Sequence, residues 1–88
     1  MKKEILAKAK LLEPVLRVGK SGLTENVIEE IKLQLKKRKL IKVKLLKSFI
    51  ASKDRKKIAG EIAQRTDSKI VQQIGFVVVL YKEEVENG

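Results

Sequence analysis

Apolar residues recur along this chain in two periods, and the switches between them mark its elements. From Lys2 to about Leu12, Ile5, Ala9 and Leu12 fall at i, i+4 and i+7 with Leu6 beside them, while Lys2, Lys3, Lys8 and Lys10 lie mostly elsewhere. That spacing predicts an amphipathic helix. Pro14 stops it, because the residue before a proline avoids the α region. Val15 to Val18 then read as a short strand ending at Gly19. Thr24 can cap a second helix, with Glu25 complementing the dipole in the first turn and Leu23 and Ile28 at the two staple positions. Val27, Ile28, Ile31 and Leu35 form its buried stripe. Lys36, Lys37 and Arg38 close its last turn, where cations oppose the negative end of the dipole.

At Leu40 the period becomes two. Ile41, Val43 and Leu45 share one face and Lys42 and Lys44 the other, the pattern of a half-buried strand. Residues 46–52 read as a connection, with Ser52 as the cap of a third helix whose inward face is Ile58, Ala59, Ile62 and Ala63. Arg55, Lys56 and Lys57 fall in or near its first turns, where positive charge opposes the dipole and weakens the helix slightly. Thr66-Asp67-Ser68 predicts a turn, and residues 69–74 and 76–82 predict two strands around Gly75. The run Val77 to Leu80 is apolar on both faces, as in a central strand or one backed by an apolar patch. Glu83 to Gly88 read as a frayed tail. The predicted order is α-β-α-β-α-β-β, an α/β class with no internal repeat.

Composition narrows the chemistry. Eighty-eight residues, 43% of them hydrophobic, make one small packed domain over 1–88 rather than a disordered tail. There is no cysteine and no histidine. Disulfides, thiolate metal sites and the commonest general base are therefore missing. No carboxylate pair has a recognisable catalytic spacing, so the expectation is a non-enzyme with no metal, no cofactor and no small-molecule substrate. No apolar stretch reaches the roughly 18–20 residues that span a bilayer. Lys8 and Lys10 interrupt any export signal, so a cytoplasmic protein without membrane contact is expected.

Charge is the most unevenly distributed property of the chain. The chain carries a net +10. Residues 1–35 hold seven basic and five acidic side chains, 36–57 hold eleven basic and one acidic, and 58–88 hold three basic and five acidic. The excess therefore sits in one block containing Lys36, Lys37, Arg38, Lys39, Lys42, Lys44, Lys47, Lys53, Arg55, Lys56 and Lys57. A concentrated block points to a polyanion; the plain alternative is a solvated lysine-rich face. Gly19-Lys20-Ser21-Gly22, between the first strand and the second helix, offers a complementary feature. Two glycines let backbone N–H groups approach a phosphate, and the following helix adds unpaired N–H groups and a partial positive charge. A nucleotide-binding P-loop is excluded, because that pattern needs a glycine where Pro14 stands.

The run Pro14-Val15-Leu16-Arg17-Val18-Gly19-Lys20-Ser21-Gly22-Leu23-Thr24-Glu25 resembles the opening of the CRM domain, the chloroplast RNA splicing and ribosome maturation family. Leu40-Ile41-Lys42-Val43-Lys44, and Gln72-Gln73-Ile74-Gly75 leading to Val79-Leu80-Tyr81, agree in order and spacing, from about Leu11 to Lys82. The resemblance implies a compact α/β domain with a mixed four-stranded sheet, similar to the C-terminal domain of bacterial translation initiation factor three. It also implies RNA binding through a KH-like GxxG loop. Stand-alone members of the YhbY type look like factors of large-subunit ribosome assembly, and this chain is closer to that type. By resemblance, Gly19 and Gly22 hold the loop open, Lys20 pairs with a phosphate and Ser21 donates a hydrogen bond. Arg17 either faces the same RNA strand or covers sheet surface with its stem. Only Phe49, Phe76 and Tyr81 are aromatic, so backbone and shape recognition of structured RNA is expected over base stacking, with strong salt dependence. The partner is then RNA, ribosomal or pre-ribosomal; a duplex-coating protein or a basic protein-interaction adaptor are the alternatives.

Overall fold

The computed structural model describes residues 2–50 and 54–83. The elements are α1 (Lys2–Leu11), β1 (Pro14–Val18), α2 (Glu25–Arg38), β2 (Leu40–Leu45), α3 (Lys47–Ile50), α4 (Arg55–Arg65), β3 (Lys69–Ile74) and β4 (Val77–Tyr81). The four strands form one mixed sheet in the order β1-β2-β4-β3. β1 and β2 run parallel, joined by α2, because parallel neighbours need a crossover. β4 pairs antiparallel with both β2 and β3. β3 and β4 meet in a two-residue loop, Gly75-Phe76, in which Gly75 takes the positive φ (56°) that primed hairpin turns ask of their first position.

The strand periodicity decides which side chains make the core. Ile41, Val43 and Leu45 of β2 join Val78 and Leu80 of β4, Val18 of β1, Ile31 and Leu35 of α2, and Ala59, Ile62 and Ala63 of α4 in one buried cluster. Antiparallel partners share a face, so Leu40, Lys42 and Lys44 stand opposite Tyr81, Val79 and Val77 on the outer face of the sheet. α1 packs on that outer face, against β2 and β3. It buries Ala9, and β4 is covered on both sides: Val79 keeps only 2% of its surface exposed. The doubly apolar run thus belongs to a central strand.

Local signals set the helix ends. Thr24 caps α2, its Oγ1 accepting from the Val27 N–H at 3.2 Å. Where a plain connection was expected after β2, the chain instead makes the single turn α3, because Phe49 and Ile50 are drawn into the core. Ser52, expected to cap the next helix, lies outside the described residues, as does Lys53. The cap of α4 is Asp54, whose carboxylate accepts from the Lys56 and Lys57 N–H groups at 2.9 and 3.5 Å. That negative charge offsets the unfavourable cations of the first turn. Phe76 falls in the hairpin loop rather than in a strand, and Ile58 is only half-buried. Of the expected tail, Glu83 is described and lies 3.7 Å from Lys69; residues 84–88 are outside the described set.

Candidate nucleic-acid interface

β1 delivers the chain to a β-turn over Gly19-Lys20-Ser21-Gly22, closed by the Gly22 N–H donating to the Gly19 carbonyl at 2.9 Å. Lys20 and Ser21 take the two central positions, and both are exposed. The glycines serve different ends. Gly22 has φ 74°, and a Cβ there would come within 3.3 Å of Phe49 Cε1. A side chain at that position is both strained and tight. Gly19 lacks the positive φ, and a Cβ there would meet Leu46 Cδ1 at 3.4 Å, close to ordinary contact. The turn therefore rests on Leu46 and Phe49. The Leu46 N–H in turn donates to the Val18 carbonyl at 2.9 Å.

Several basic residues lie on the elements that surround this turn or lead away from it. Arg17 pairs with Lys44 across β1 and β2 and shares its outer-face position; both are exposed. Lys42 lies one step further along β2, opposite Val79. Two arginines arrive from α4. The Arg55 guanidinium stands 5.2 Å over the ring of Phe76, whose carbonyl accepts from the Leu45 N–H at the end of β2. Arg65 Nη1 lies 3.5 Å from the carbonyl of Leu23, the residue after the turn, and 3.4 Å from Glu61 Oε2. Neither contact could be read from the chain. Arg65 lies in the stretch with an acidic balance, and only tertiary packing brings it to residue 23.

Lys36, Lys37 and Arg38 lie at the far end of α2, a helix of 14 residues and about 20 Å. All three are exposed, and Arg38 Nε donates to Gln34 Oε1 at 3.1 Å. Lys39 closes this end. Its N–H donates to the Leu35 carbonyl at 2.8 Å with a φ of 65°, while its own carbonyl accepts from the Lys82 N–H. The basic block is thus divided: 36–39 sit at one end of α2, while Lys44 and Arg55 stand near its start. Lys42 lies between the two on the sheet. β2 does the dividing, since six extended residues span about 20 Å.

The aromatic rings are occupied. Phe49 is buried beneath the turn, Arg55 covers Phe76, and Tyr81 is half-buried beside Leu40. Among the described residues, no cluster of acidic, histidine or cysteine side chains could hold a metal ion. No helix of the described residues is long and apolar enough to cross a membrane. The arrangement can hold phosphates at a fixed turn and attract a polyanion along its flanks.

A family model described as the CRS1/YhbY (CRM) domain matches residues 1–82. A probable RNA-binding protein of Methanocaldococcus jannaschii is 44% identical over 82 residues, 93% of this chain; the chain spans 60% of that relative's length. The Bacillus subtilis probable RNA-binding protein YqeI is 38% identical over 98% of this chain and 88% of its own. The solution structure of a Staphylococcus aureus protein, described as a candidate RNA-binding protein, superposes with a TM-score of 0.78 at 36% identity. It covers 99% of this chain and 88% of its own.

Proposed function

Because this chain belongs to the CRS1/YhbY (CRM) domain family, we propose that it binds RNA, with the Gly19–Gly22 turn gripping the phosphate backbone and the basic residues around it supplying attraction. The observation that carries this reading is the turn itself: two exposed polar side chains, Lys20 and Ser21, stand at the tip of a backbone buttressed by Phe49. Relatives named as RNA-binding proteins support the same conclusion. The RNA is structured, with the duplex backbone as the main contact, since phosphate contacts from lysine and backbone N–H groups position a duplex without reading its bases. We place the target in ribosomal RNA during large-subunit assembly, on the strength of the resemblance to stand-alone members of the family.

Lys20→Glu tests the grip. RNA affinity should fall several-fold, and the dependence of log K on log salt should become shallower by about one unit, the loss of one phosphate contact. Unchanged affinity and slope would remove the turn from the interface. Sucrose-gradient sedimentation of cell extracts tests the target: the protein should travel with large-subunit precursors. Comigration with small-subunit particles alone would refute that assignment.

A further inference from the structure

The outer face of the sheet holds a feature that phosphate binding leaves unused. Beside α1 lies a half-open hollow of about 300 Å³ lined by Lys10, Lys42, Gln72, Ile74, Val77 and Val79. Three of these residues make an apolar floor, and Ile74 is 64% exposed. Two lysines stand at the hollow, no acidic residue among the described ones lines it, and the register adds Lys44 and Arg17 to the same face. We infer that this hollow receives one unpaired nucleotide of the bound RNA, an inference that rests on the RNA-binding reading above.

The charge and the floor together select the occupant. A polyanion is favoured by the lysines. A fully paired A-form helix offers phosphates, 2′-hydroxyls and base edges, but its base faces are stacked away inside. Such a surface has nothing to lay on Ile74, Val77 and Val79. A nucleotide turned out of the helix does: its phosphate meets Lys10 or Lys42 and its base lies flat on the aliphatic floor. The Gln72 amide, which both donates and accepts, then faces the base edge. The turn would set the register of the RNA, and the hollow would distinguish an interrupted helix from a continuous one.

The test compares an RNA hairpin carrying one bulged nucleotide with the same hairpin lacking it, by fluorescence anisotropy. The wild-type chain should bind the bulged RNA about fivefold tighter, at or below the low end of what base stacking on an aromatic ring contributes. Gln72→Ala combined with Ile74→Ser changes two side chains outside the core, and a thermal melt checks folding. This variant should lose the preference while keeping the wild-type affinity and salt slope for the unbulged hairpin. A 4-thiouridine at the bulge should crosslink to the peptide containing residues 72–79. Equal wild-type affinity for the two hairpins, or a preference that survives the double variant, overturns the inference and leaves RNA binding standing. Failure to bind either hairpin overturns both. Self-association of the wild type that the double variant abolishes, without loss of any bulge preference, would assign the hollow to a second copy of the chain instead.

Discussion

The two basic regions at the ends of α2 are held in different ways. At the Gly19–Gly22 turn the backbone is fixed from below: Phe49 fills the space under Gly22, Leu46 lies under Gly19, and a hydrogen bond closes the turn. At the other end Lys36, Lys37 and Arg38 project from an ordinary last helical turn. The first region has a shape; the second has charge on long, mobile stems. A shaped site can determine where a phosphate sits, because its donors are placed before the ligand arrives. A set of exposed lysines raises the local concentration of a polyanion without choosing its position. Binding and folding should therefore be inseparable at the turn and separable at the helix end.

The sharpest break of that contrast is Gly22→Val. It places a β-branched side chain at φ 74° and drives it into Phe49, which should cost on the order of 2–3 kcal/mol in urea unfolding and weaken RNA binding with it. Gly75→Ala is the control. Its φ is also positive, but nothing lies within 4 Å of the added Cβ, so about 1 kcal/mol is expected from the backbone alone. Gly22→Ala, whose Cβ would come within 3.3 Å of Phe49 Cε1, should cost more than Gly75→Ala; equal losses for these two would mean that the packing under the turn contributes nothing.

Replacing Lys36, Lys37 and Arg38 together by glutamine should lower affinity about tenfold for every RNA tested and flatten the salt slope by about two to three units. Stability should fall only slightly, by about 1 kcal/mol from the lost helix-dipole contacts, and the ranking of RNAs should hold. A changed ranking in competition binding would show that the helix end selects among RNAs rather than only attracting them.

The smallest expected effect runs in the opposite direction. Lys39 ends α2 at φ 65°, a conformation that favours glycine. Lys39→Gly should relieve about 0.5–1 kcal/mol of backbone strain, measured by chemical denaturation, while removing one charge from the C-terminal end of α2. A more stable protein that binds slightly less well is what separable roles demand.

Much of this was written in the local pattern. The alternation at Ile41, Lys42, Val43, Lys44 and Leu45, the stripe Ile28, Ile31 and Leu35, the Thr24 cap and the doubly apolar β4 each depend on neighbours within a few residues, and each is present as expected, though Val27, expected in the stripe, is only half-buried. The turn was legible because glycine spacing and strand–helix context are local as well. Its support was not. Leu46 and Phe49 looked like members of a connection, since a single helical turn leaves no periodic trace and the glycines they support lie 27 residues earlier in the chain. Arg55 on Phe76 and Arg65 beside Leu23 are likewise products of tertiary packing. The charge block, continuous in the chain, is discontinuous in space because an extended strand runs through it.

The mixed sheet also orders events in time. The β3–β4 hairpin closes through two residues, so its pairing costs little chain entropy and can form early. The parallel β1–β2 ladder must wait for α2 to be laid across, and the turn stands at the start of that crossover with Phe49 arriving from beyond β2. We therefore expect pulsed hydrogen exchange during refolding to protect amides of β3 and β4 before the Gly22 amide; simultaneous protection would refute this order. On that schedule the proposed grip on RNA is the last part of the molecule to mature, and a nascent or half-folded chain carries its charge before it carries the turn.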